Sequence, residues 1–270
     1  MATILDKITE QTAEDLAKRK QKVSFGDFNS FEEFEKDRIS FKKALQGSDS
    51  VSIIAEVKKA SPSKGIIRPD IDPIDIALKY EEGGASAISV LTDEPFFKGS
   101  LKYLEAISKR VQLPLLRKDF IIDPYQIKEA RAYGADAVLI IVAITEGKQL
   151  DELLHAAKEF GLDALVECYD QDDFNRLNFD LVDILGVNNR DLKNFEMDVH
   201  RGISILKQAS AETVLVSESG LSSGNDLALL KKESIHSALI GEYFMRQKDP
   251  GQALKDLIEK TEEEFEKQYR

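Results

Sequence analysis

The sequence predicts an α/β protein, a single (β/α)8 barrel (TIM barrel) preceded by an N-terminal helical extension. Past residue 50, short apolar segments alternate with amphipathic helical patterns, and helix passes to strand through small-residue turns such as Tyr133-Gly134-Ala135. Alternating strands and helices indicate a parallel sheet covered by helices, and eight strand-helix units are the number that closes such a sheet into a barrel.

The units follow one another along the chain in a regular order. The eight predicted strands lie at 53–57, 88–91, 113–117, 138–141, 165–167, 183–187, 213–217 and 238–240. The helical patterns begin near Pro73, Ser100, Pro124, Glu146, Gln171, Val199, Ser222 and Pro250. A doubly wound open sheet is the alternative. The barrel is favoured because Lys59-Ala60-Ser61-Pro62 follows the first strand, in place of a glycine-rich dinucleotide fingerprint.

Residues 1–48 lie outside this alternation. An amphipathic helix is indicated by the apolar residues Ile4, Leu5, Ile8 and Leu16. A charged segment with several phenylalanines follows it. We expect this extension to cap the barrel by packing against one of its ends, so that residues 1–270 form a single domain.

Composition and charge exclude several classes of protein. A net charge of −12 argues against a nucleic-acid partner, whereas a small phosphorylated ligand needs only a few lysines and backbone amides. The sequence contains no run of about eighteen uncharged apolar residues, so neither a membrane span nor a secretory signal fits. The single cysteine, Cys168, permits no intrachain disulfide. We expect a cytoplasmic monomer that acts on a small molecule.

Charged and polar side chains follow the predicted strands at the edge where barrels of this type have their active sites. Glu56 and Lys58 point to the same side of the first strand, because side chains alternate along a strand. Other strand ends add Lys118, Glu167, Asn188 and Glu218. A solvated surface position explains any one of these residues alone, whereas their joint placement favours one shared site.

Two lysines and three carboxylates in a partly dry pocket suit general acid-base catalysis. We expect burial to lower the pKa of the lysines and to raise the pKa of the carboxyl groups, which brings both towards neutral pH. A Schiff base between a lysine and a carbonyl substrate is the less favoured alternative. We expect no metal, because no cluster has metal-ligand spacing. The histidines His155, His200 and His236 fall on predicted helices or a helix end, away from strand termini.

The loops after the last two strands, Glu218-Ser219-Gly220 and Ile240-Gly241-Glu242, predict a phosphate site. Barrels of this type often bind phosphate in these loops through backbone N–H groups and a helix N-terminus. One loop glycine often only permits a turn, but the two glycines in corresponding places favour phosphate binding. The carboxylate of Glu242 would repel phosphate, so we expect only its backbone amide to take part.

Six segments taken together resemble the indole-3-glycerol phosphate synthase family. They are 54–63, 88–93 with 97–100, 116–121, 186–192, 217–220 and 239–242. The resemblance extends over essentially the whole chain, including the extension. It implies conversion of 1-(2-carboxyphenylamino)-1-deoxyribulose 5-phosphate to indole-3-glycerol phosphate, carbon dioxide and water in tryptophan biosynthesis, without a cofactor.

The resemblance also implies residue roles. Lys118 is the expected general acid of ring closure, Lys58 the acid of the later steps, and Glu56 or Glu167 the base. The residues expected to orient the substrate and its hydroxyls are Asn188, Glu218 and Ser219. Those expected beside the substrate carboxylate are Ser61 and Arg190, and those beside the anthranilate ring are Phe97 and Phe120. The expected phosphate contacts are Gly220, Gly241 and Glu242, with help from Lys58.

Two other functions are weighed against this one. The phosphoribosylanthranilate isomerase family uses a cysteine and an aspartate as acid and base, with the cysteine at the end of the first strand. This chain has Glu56 at that place, which disfavours the isomerase. A catalytically silent phosphate-binding barrel has no need of paired acids and bases. Tyr243 stands where relatives usually carry a smaller residue, which puts a side-chain contact with phosphate there in doubt. Other enzymes of the tryptophan pathway stay open as partners.

Overall fold

The computed structural model describes residues 3–46, 50–190 and 196–269. Eight parallel strands form a closed barrel, in which each strand pairs with the next and the last returns to the first, with Ser237 opposite Ser52. The strands are β1 Ser52–Val57, β2 Ala87–Leu91, β3 Leu115–Lys118, β4 Ala137–Ile141, β5 Asp163–Cys168, β6 Ile184–Asn188, β7 Val214–Glu218 and β8 Ser237–Ile240. The predicted barrel is confirmed.

Helices cover the outside of the barrel and form the extension. They are α1 Ile4–Lys22, α2 Phe41–Gln46, α3 Pro73–Glu82, α4 Leu101–Ser108, α5 Pro124–Ala132, α6 Gln149–Glu159, α7 Gln171–Phe174, α8 Val199–Leu206, α9 Gly224–Lys232, α10 Glu242–Met245 and α11 Pro250–Tyr269. Asp72 and Asp123 cap α3 and α5, each of which starts with proline. Among the residues described, no helix is long and apolar enough to cross a membrane.

Three local features depart from a simple alternation of strand and helix. The connection from β1 to α3 contains a short antiparallel hairpin that pairs Ala60–Ser61 with Gly65–Ile66. Helix α7 is a single turn, and α10 is an additional short helix directly after β8. Because α10 begins at Glu242, the predicted phosphate loop leads into the start of a helix.

Apolar side chains form two layers, one on each face of the strands. The interior of the barrel contains Ile54, Leu116, Leu139, Leu165, Val216 and Leu239. The layer between strands and helices contains Ile53, Val138, Leu185 and, as predicted, a buried Cys168. Since both faces are buried, the strands read as nearly continuous apolar runs. Glu56, Lys118, Glu167 and Glu218 stand at the last or next-to-last positions of their strands, at the end where the barrel opens.

The N-terminal extension contacts the barrel at both of its ends. Leu5 and Ile8 of α1 lie at the end where the strands finish, and Phe41 and Leu45 of α2 join the interior cluster. The backbone N–H of Lys42 donates to the carboxylate of Asp163, the first residue of β5, at 2.9 Å. Helix α2 therefore lies under the strand starts, and α1 lies over the strand ends.

Candidate active site

A cavity of about 440 Å³ opens at the carboxyl ends of the barrel strands, a size suited to a small-molecule ligand. The predicted site residues that line it are Glu56, Lys58, Ser61, Phe97, Lys118, Phe120, Glu167, Asn188, Arg190, Ser219, Gly220, Gly241 and Glu242. The remaining predicted residue, Glu218, lies buried behind the cavity wall, where it contacts Lys118. The structure therefore brings the whole predicted set together.

Lys118, the last residue of β3, contacts two carboxylates from the other side of the barrel. Its Nζ lies 2.7 Å from Oε2 of Glu218 and 3.6 Å from Oε2 of Glu167. Of these two carboxylates only that of Glu218 lies within hydrogen-bond distance of Nζ, so an ammonium with three N–H donors keeps donors for a ligand. The Lys118 side chain is 17% exposed, whereas that of Glu218 is 1% exposed. Glu218 thus binds Lys118 from the buried side, while Nζ of Lys118 stays accessible from the cavity.

The carboxylates decide the protonation of Lys118. Burial by itself lowers the pKa of a lysine, but the charges of Glu218, Glu167 and Glu56 outweigh burial and raise the pKa of Lys118 above its ordinary value. The predicted lowering is wrong for this lysine, because the sequence did not show how many carboxylates surround it. Lys118 is an ammonium at neutral pH and releases a proton only to a strongly basic atom, such as a developing alkoxide.

Glu167, near the end of β5, has a pKa well above that of an ordinary carboxyl group. Burial, followed by the negative charge of Glu218, raises the pKa of Glu167 to about 8, against an opposing effect of Lys118. The side-chain amide of Asn188 donates to Oε1 of Glu167 at 3.5 Å. The predicted raising holds here. A carboxyl group with a pKa near neutrality can both accept and release a proton during turnover.

Glu56 and Lys58 form the second charged pair, at the end of β1. Nζ of Lys58 contacts Oε1 of Glu56, and both side chains lie on the cavity side. Burial raises the pKa of Glu56, but the charges of Lys58 and Lys118 outweigh it, so its pKa is lowered overall. Glu56 is therefore an anion at neutral pH.

Packing against Glu56 explains why position 241 is a glycine, which the sequence did not reveal. Its φ is −125°, so no left-handed backbone requires a glycine here. A Cβ at this position would lie 2.2 Å from Oε1 of Glu56, however. Gly241 therefore makes room for the carboxylate of Glu56, in addition to its predicted place in the phosphate loop.

The loops after β7 and β8 form one rim of the cavity. Ser219 and Gly220 both have left-handed backbones, with φ of 70° and 75°. Oε1 of Glu242 accepts from Nε of Arg246 at 3.0 Å, and its Oε2 lies 3.7 Å from Nη2 of Arg190. The Glu242 carboxylate is thus paired with two guanidinium groups, which offset its repulsion of an anion at this rim.

Aromatic and apolar side chains line the remaining wall. The rings of Phe97 and Phe120 lie 6.0 Å apart between centroids. The carboxylate of Asp93 accepts from the backbone N–H groups of Phe96 and Phe97, at 2.8 and 2.9 Å, and so fixes that loop. A planar aromatic ligand fits such a wall, because stacked and edge-on ring contacts add to the burial of apolar surface.

Comparison with known proteins identifies the family. The family model for indole-3-glycerol phosphate synthase matches residues 5–257. A protein of that name from Campylobacter jejuni subsp. jejuni serotype O:6 is 49% identical over 261 residues, which cover 94% of this chain and 100% of the relative. The chain belongs to the indole-3-glycerol phosphate synthase family.

More distant relatives carry the same name. The indole-3-glycerol phosphate synthase of Salinibacter ruber is 46% identical over 94% of this chain and 95% of its own, and that of Zymomonas mobilis subsp. pomaceae is 44% identical over 96% and 99%. Five of the six family segments quoted from the sequence are fully described. In the segment 186–192, Asp191 and Leu192 lie outside the described residues.

Solved structures of other families share the barrel fold. A mutant tryptophan synthase α-subunit from Pyrococcus furiosus matches with a TM-score of 0.59 and 14% identity, over 78% of this chain and 97% of that chain. The 3-hexulose-6-phosphate synthase of Salmonella typhimurium matches with a TM-score of 0.60 and 18% identity, over 77% and 98%. At such low identity these likenesses concern the fold alone.

Two groups of site residues were missed by the sequence analysis. Helix α1 contributes Ile4, Leu5 and Ile8 to the cavity wall. Its apolar stripe was visible, but nothing in the sequence placed it over the strand ends. Tyr243, which the sequence marked only as larger than the residue usual at this place, also lines the cavity, with its ring 5.3 Å from that of Phe244.

The second missed group is a buried ion network behind Lys118. The fully buried guanidinium of Arg117 lies 2.8 Å from Asp119 and 3.0 Å from Glu129, and Nη1 of Arg19 in α1 lies 2.7 Å from the same Glu129. Nε of Arg117 also donates to Thr92 at 3.1 Å. The network joins β3 to the extension, and one of its members, Asp119, also lines the cavity.

Two further observations concern metal-ligating side chains and histidines. In the described part of the chain, no group of histidine, cysteine, aspartate and glutamate side chains could hold a metal ion. The placement of His236 away from strand termini is wrong, because it directly precedes β8 and its Nδ1 accepts from the backbone N–H of Leu215 at 3.0 Å. It lies at the strand starts, opposite the cavity.

Proposed function

We propose that this chain is an indole-3-glycerol phosphate synthase, a carboxy-lyase of tryptophan biosynthesis. Its substrate is 1-(2-carboxyphenylamino)-1-deoxyribulose 5-phosphate, and its products are indole-3-glycerol phosphate, carbon dioxide and water. The observation that carries the proposal is the ammonium of Lys118, held between Glu218 and Glu167 at a cavity with an aromatic wall.

Ring closure requires a strong positive charge at the substrate ketone. The aromatic carbon that bears the carboxylate attacks the ketone carbon, a new C–C bond forms, and negative charge develops on the ketone oxygen. Lys118 donates a proton to that oxygen. An alkoxide is basic enough to take a proton from a lysine whose pKa is raised, and the charge also stabilises the transition state. Loss of carbon dioxide then restores the aromatic ring.

Dehydration requires an acid and a base on the cyclised intermediate. Lys58 protonates the departing hydroxyl, and a base removes a proton from the neighbouring ring carbon, which completes the indole. Glu56 and Glu167 are the two candidates for this base. We favour Glu167, because its pKa of about 8 lets it take and release a proton within one turnover. Glu56 then serves as the counter-ion of Lys58.

The remaining cavity residues bind and orient the substrate. The backbone amides of Gly220, Gly241 and Glu242 take the phosphate, with help from Lys58. Ser61 and Arg190 take the carboxylate, and Phe97 and Phe120 flank the anthranilate ring. Asn188 and Ser219 orient the sugar hydroxyls, whereas Glu218, expected from the sequence to join them, lies behind the cavity wall and acts through Lys118. Arg190 is supported on the rim by Ser63, whose hydroxyl lies 3.3 Å from Nη1.

We also propose how the chain is organised and where it works. Residues 1–270 form a single domain, with residues 1–48 as a cap. It acts as a monomer in the cytoplasm, without metal, cofactor or nucleic-acid partner. The cofactor-free part of this proposal is supported by the chemistry, because acid-base groups of the cavity suffice for the reaction.

The test is a fluorescence assay for indole formation with the purified chain and the carboxyphenylamino-deoxyribulose phosphate. We expect a rise in indole fluorescence with release of one carbon dioxide per turnover. Binding of this compound without product would instead identify a silent binding barrel. Formation of the same compound from phosphoribosylanthranilate would identify the isomerase.

A further inference from the structure

Asn189 follows the cavity residue Asn188 but points to the other side of β6. Its side chain is fully buried. Nδ2 donates to the hydroxyl of Ser217 at 2.9 Å and to the backbone carbonyl of Ser219 at 3.0 Å. Its backbone N–H donates to the carbonyl of Glu218 at 2.8 Å. One residue therefore holds three consecutive residues at the end of β7.

The orientation of the Asn189 amide is fixed by its partners. A carbonyl oxygen only accepts hydrogen bonds, so the nitrogen end must face Ser219. Oδ1 points towards α8 and has no hydrogen-bond partner among the described residues. A Cβ on Gly202 of α8 would lie 2.0 Å from this oxygen. The glycine in α8 therefore leaves room for the Asn189 amide, although its oxygen makes no hydrogen bond there. The hydrogen bonds of this side chain are all donated by Nδ2, so its structural role lies in the contacts with β7.

The held segment has a backbone that needs support. Ser219 has φ of 70°, a left-handed conformation that is unfavourable for a residue with a Cβ. Such conformations persist where surrounding structure holds them, and they cluster at functional sites. The hydrogen bond from Asn189 to the Ser219 carbonyl acts on the peptide plane that joins Ser219 to Gly220. It therefore sets the direction of the Gly220 N–H at the cavity rim.

We infer that Asn189 is a positioning residue, which holds Ser219 in its left-handed conformation and so aims the β7 rim at the substrate phosphate. The use of that rim for phosphate rests on the proposed function. Asn189 is not among the residues that line the cavity. Its effect passes through Ser219 and Gly220 and leaves the proton donors in place.

The direct test replaces Asn189 by an isosteric residue. Asn189→Asp places an oxygen against the Ser219 carbonyl and removes the donor, and Asn189→Ala removes the donor without a new charge. The matched control is Val187→Ala, because Val187 is equally buried beside Gly202 and makes no side-chain hydrogen bond to β7. Amide hydrogen exchange of the 214–222 segment and the KM and kcat of the full chain are the measurements.

Both Asn189 variants are expected to speed exchange in 214–222 about tenfold or more and to raise KM by a similar factor, with a smaller change in kcat. Val187→Ala should change neither at a temperature where it is folded. In a Ser219→Gly background, where the left-handed backbone carries no penalty, the effect of Asn189→Ala on exchange should shrink.

Unchanged exchange and unchanged KM in both Asn189 variants would overturn the inference. Equal changes in the Val187→Ala control would also overturn it, since they would indicate general loosening of β6. If the parent chain had no turnover, the proposed function would fail, and the exchange data would still decide the role of Asn189.

Discussion

Lys118 and Lys58 bring the same charge to the same cavity but are held in different ways. Lys118 contacts carboxylates from β5 and β7, which lie 49 and 100 positions further along the chain. Lys58 contacts Glu56, two positions earlier on its own strand. Lys118 is thus fixed by the closure of the barrel, and Lys58 is fixed by a local pair.

The difference separates two tasks that a lysine can perform. Surrounding anions keep Lys118 protonated and in one position, which suits a donor whose charge must be present when the ketone oxygen becomes negative. Lys58 has fewer constraints, so it can reach a leaving hydroxyl or a phosphate. Buried pairs of this kind contribute little net stability. Their arrangement is explained by chemistry better than by folding.

Removing each ammonium tests this division most strongly. Lys118→Met should lower kcat/KM about 10³-fold, and Lys58→Met about 10²-fold, because only the first loses both a proton donor and a charge fixed at the ketone. Steady-state assays of indole formation give both values. Lys102→Met, on the exposed face of α4, is the control and should keep full activity. Equal losses for the two cavity lysines would break the comparison.

The local pair can be disturbed without touching either charged residue. Gly241→Ala adds a Cβ that would lie 2.2 Å from Oε1 of Glu56, so the carboxylate must move. We expect kcat/KM to fall about 30-fold, since displacements near 1 Å cost up to about 10²-fold. Gly26→Ala is the control, because its Cβ would meet nothing closer than 3.9 Å. An unaffected Gly241→Ala enzyme would argue that Glu56 has no fixed position in catalysis.

The negative charge of Glu218 beside Lys118 can be removed by a substitution that keeps the size of the Glu218 side chain. Glu218→Gln removes one of the charges that raise the pKa of Lys118, so that pKa should fall and the basic limb of the kcat/KM profile should move to lower pH. Near neutral pH the loss should be about tenfold. Glu212→Gln, at an exposed position, should leave the profile unchanged. A shift towards higher pH would contradict the assigned direction.

The smallest effect concerns stability at Glu167. Its pKa of about 8 lies above the ordinary 4.5, so between these values the native state binds more protons than the unfolded state and stability falls as pH rises. Glu167→Gln removes this loss. Its unfolding free energy, relative to the parent, should grow from about pH 4.5 to about pH 8, by at most about 1.4 kcal/mol per pH unit. Parallel denaturation curves across that range would show that Glu167 titrates normally.

The sequence predicted those features that depend on local pattern. Short apolar segments between amphipathic helical patterns predicted all eight strands, and the alternation of side chains along a strand placed Glu56 beside Lys58. The position of the cavity residues at strand ends predicted that they share one site, because in a parallel barrel the carboxyl ends of all strands lie on the same side. The protonation of Lys118 was predicted in the wrong direction, since it depends on distances between strands that no local pattern contains.

Other features depended on packing between distant segments. Nothing near Ile8 indicated that α1 would lie over the cavity, and nothing near Arg117 indicated its buried partners Glu129 and Arg19. The sequence explained Gly241 by a turn and a phosphate-binding loop. The structure adds that a Cβ at this position would clash with the carboxylate of Glu56. Such reasons become visible only when the barrel closes.

The most direct test of the account is the titration of Lys118 itself. Carbon-13 NMR of the lysine ε-carbons, with Lys118→Met to assign the signal, follows its protonation from about pH 6 to about pH 11. The account predicts no titration of Lys118 until the pH passes its ordinary value of 10.5, and a lower midpoint in Glu218→Gln. A midpoint near neutral pH in the parent chain would contradict it.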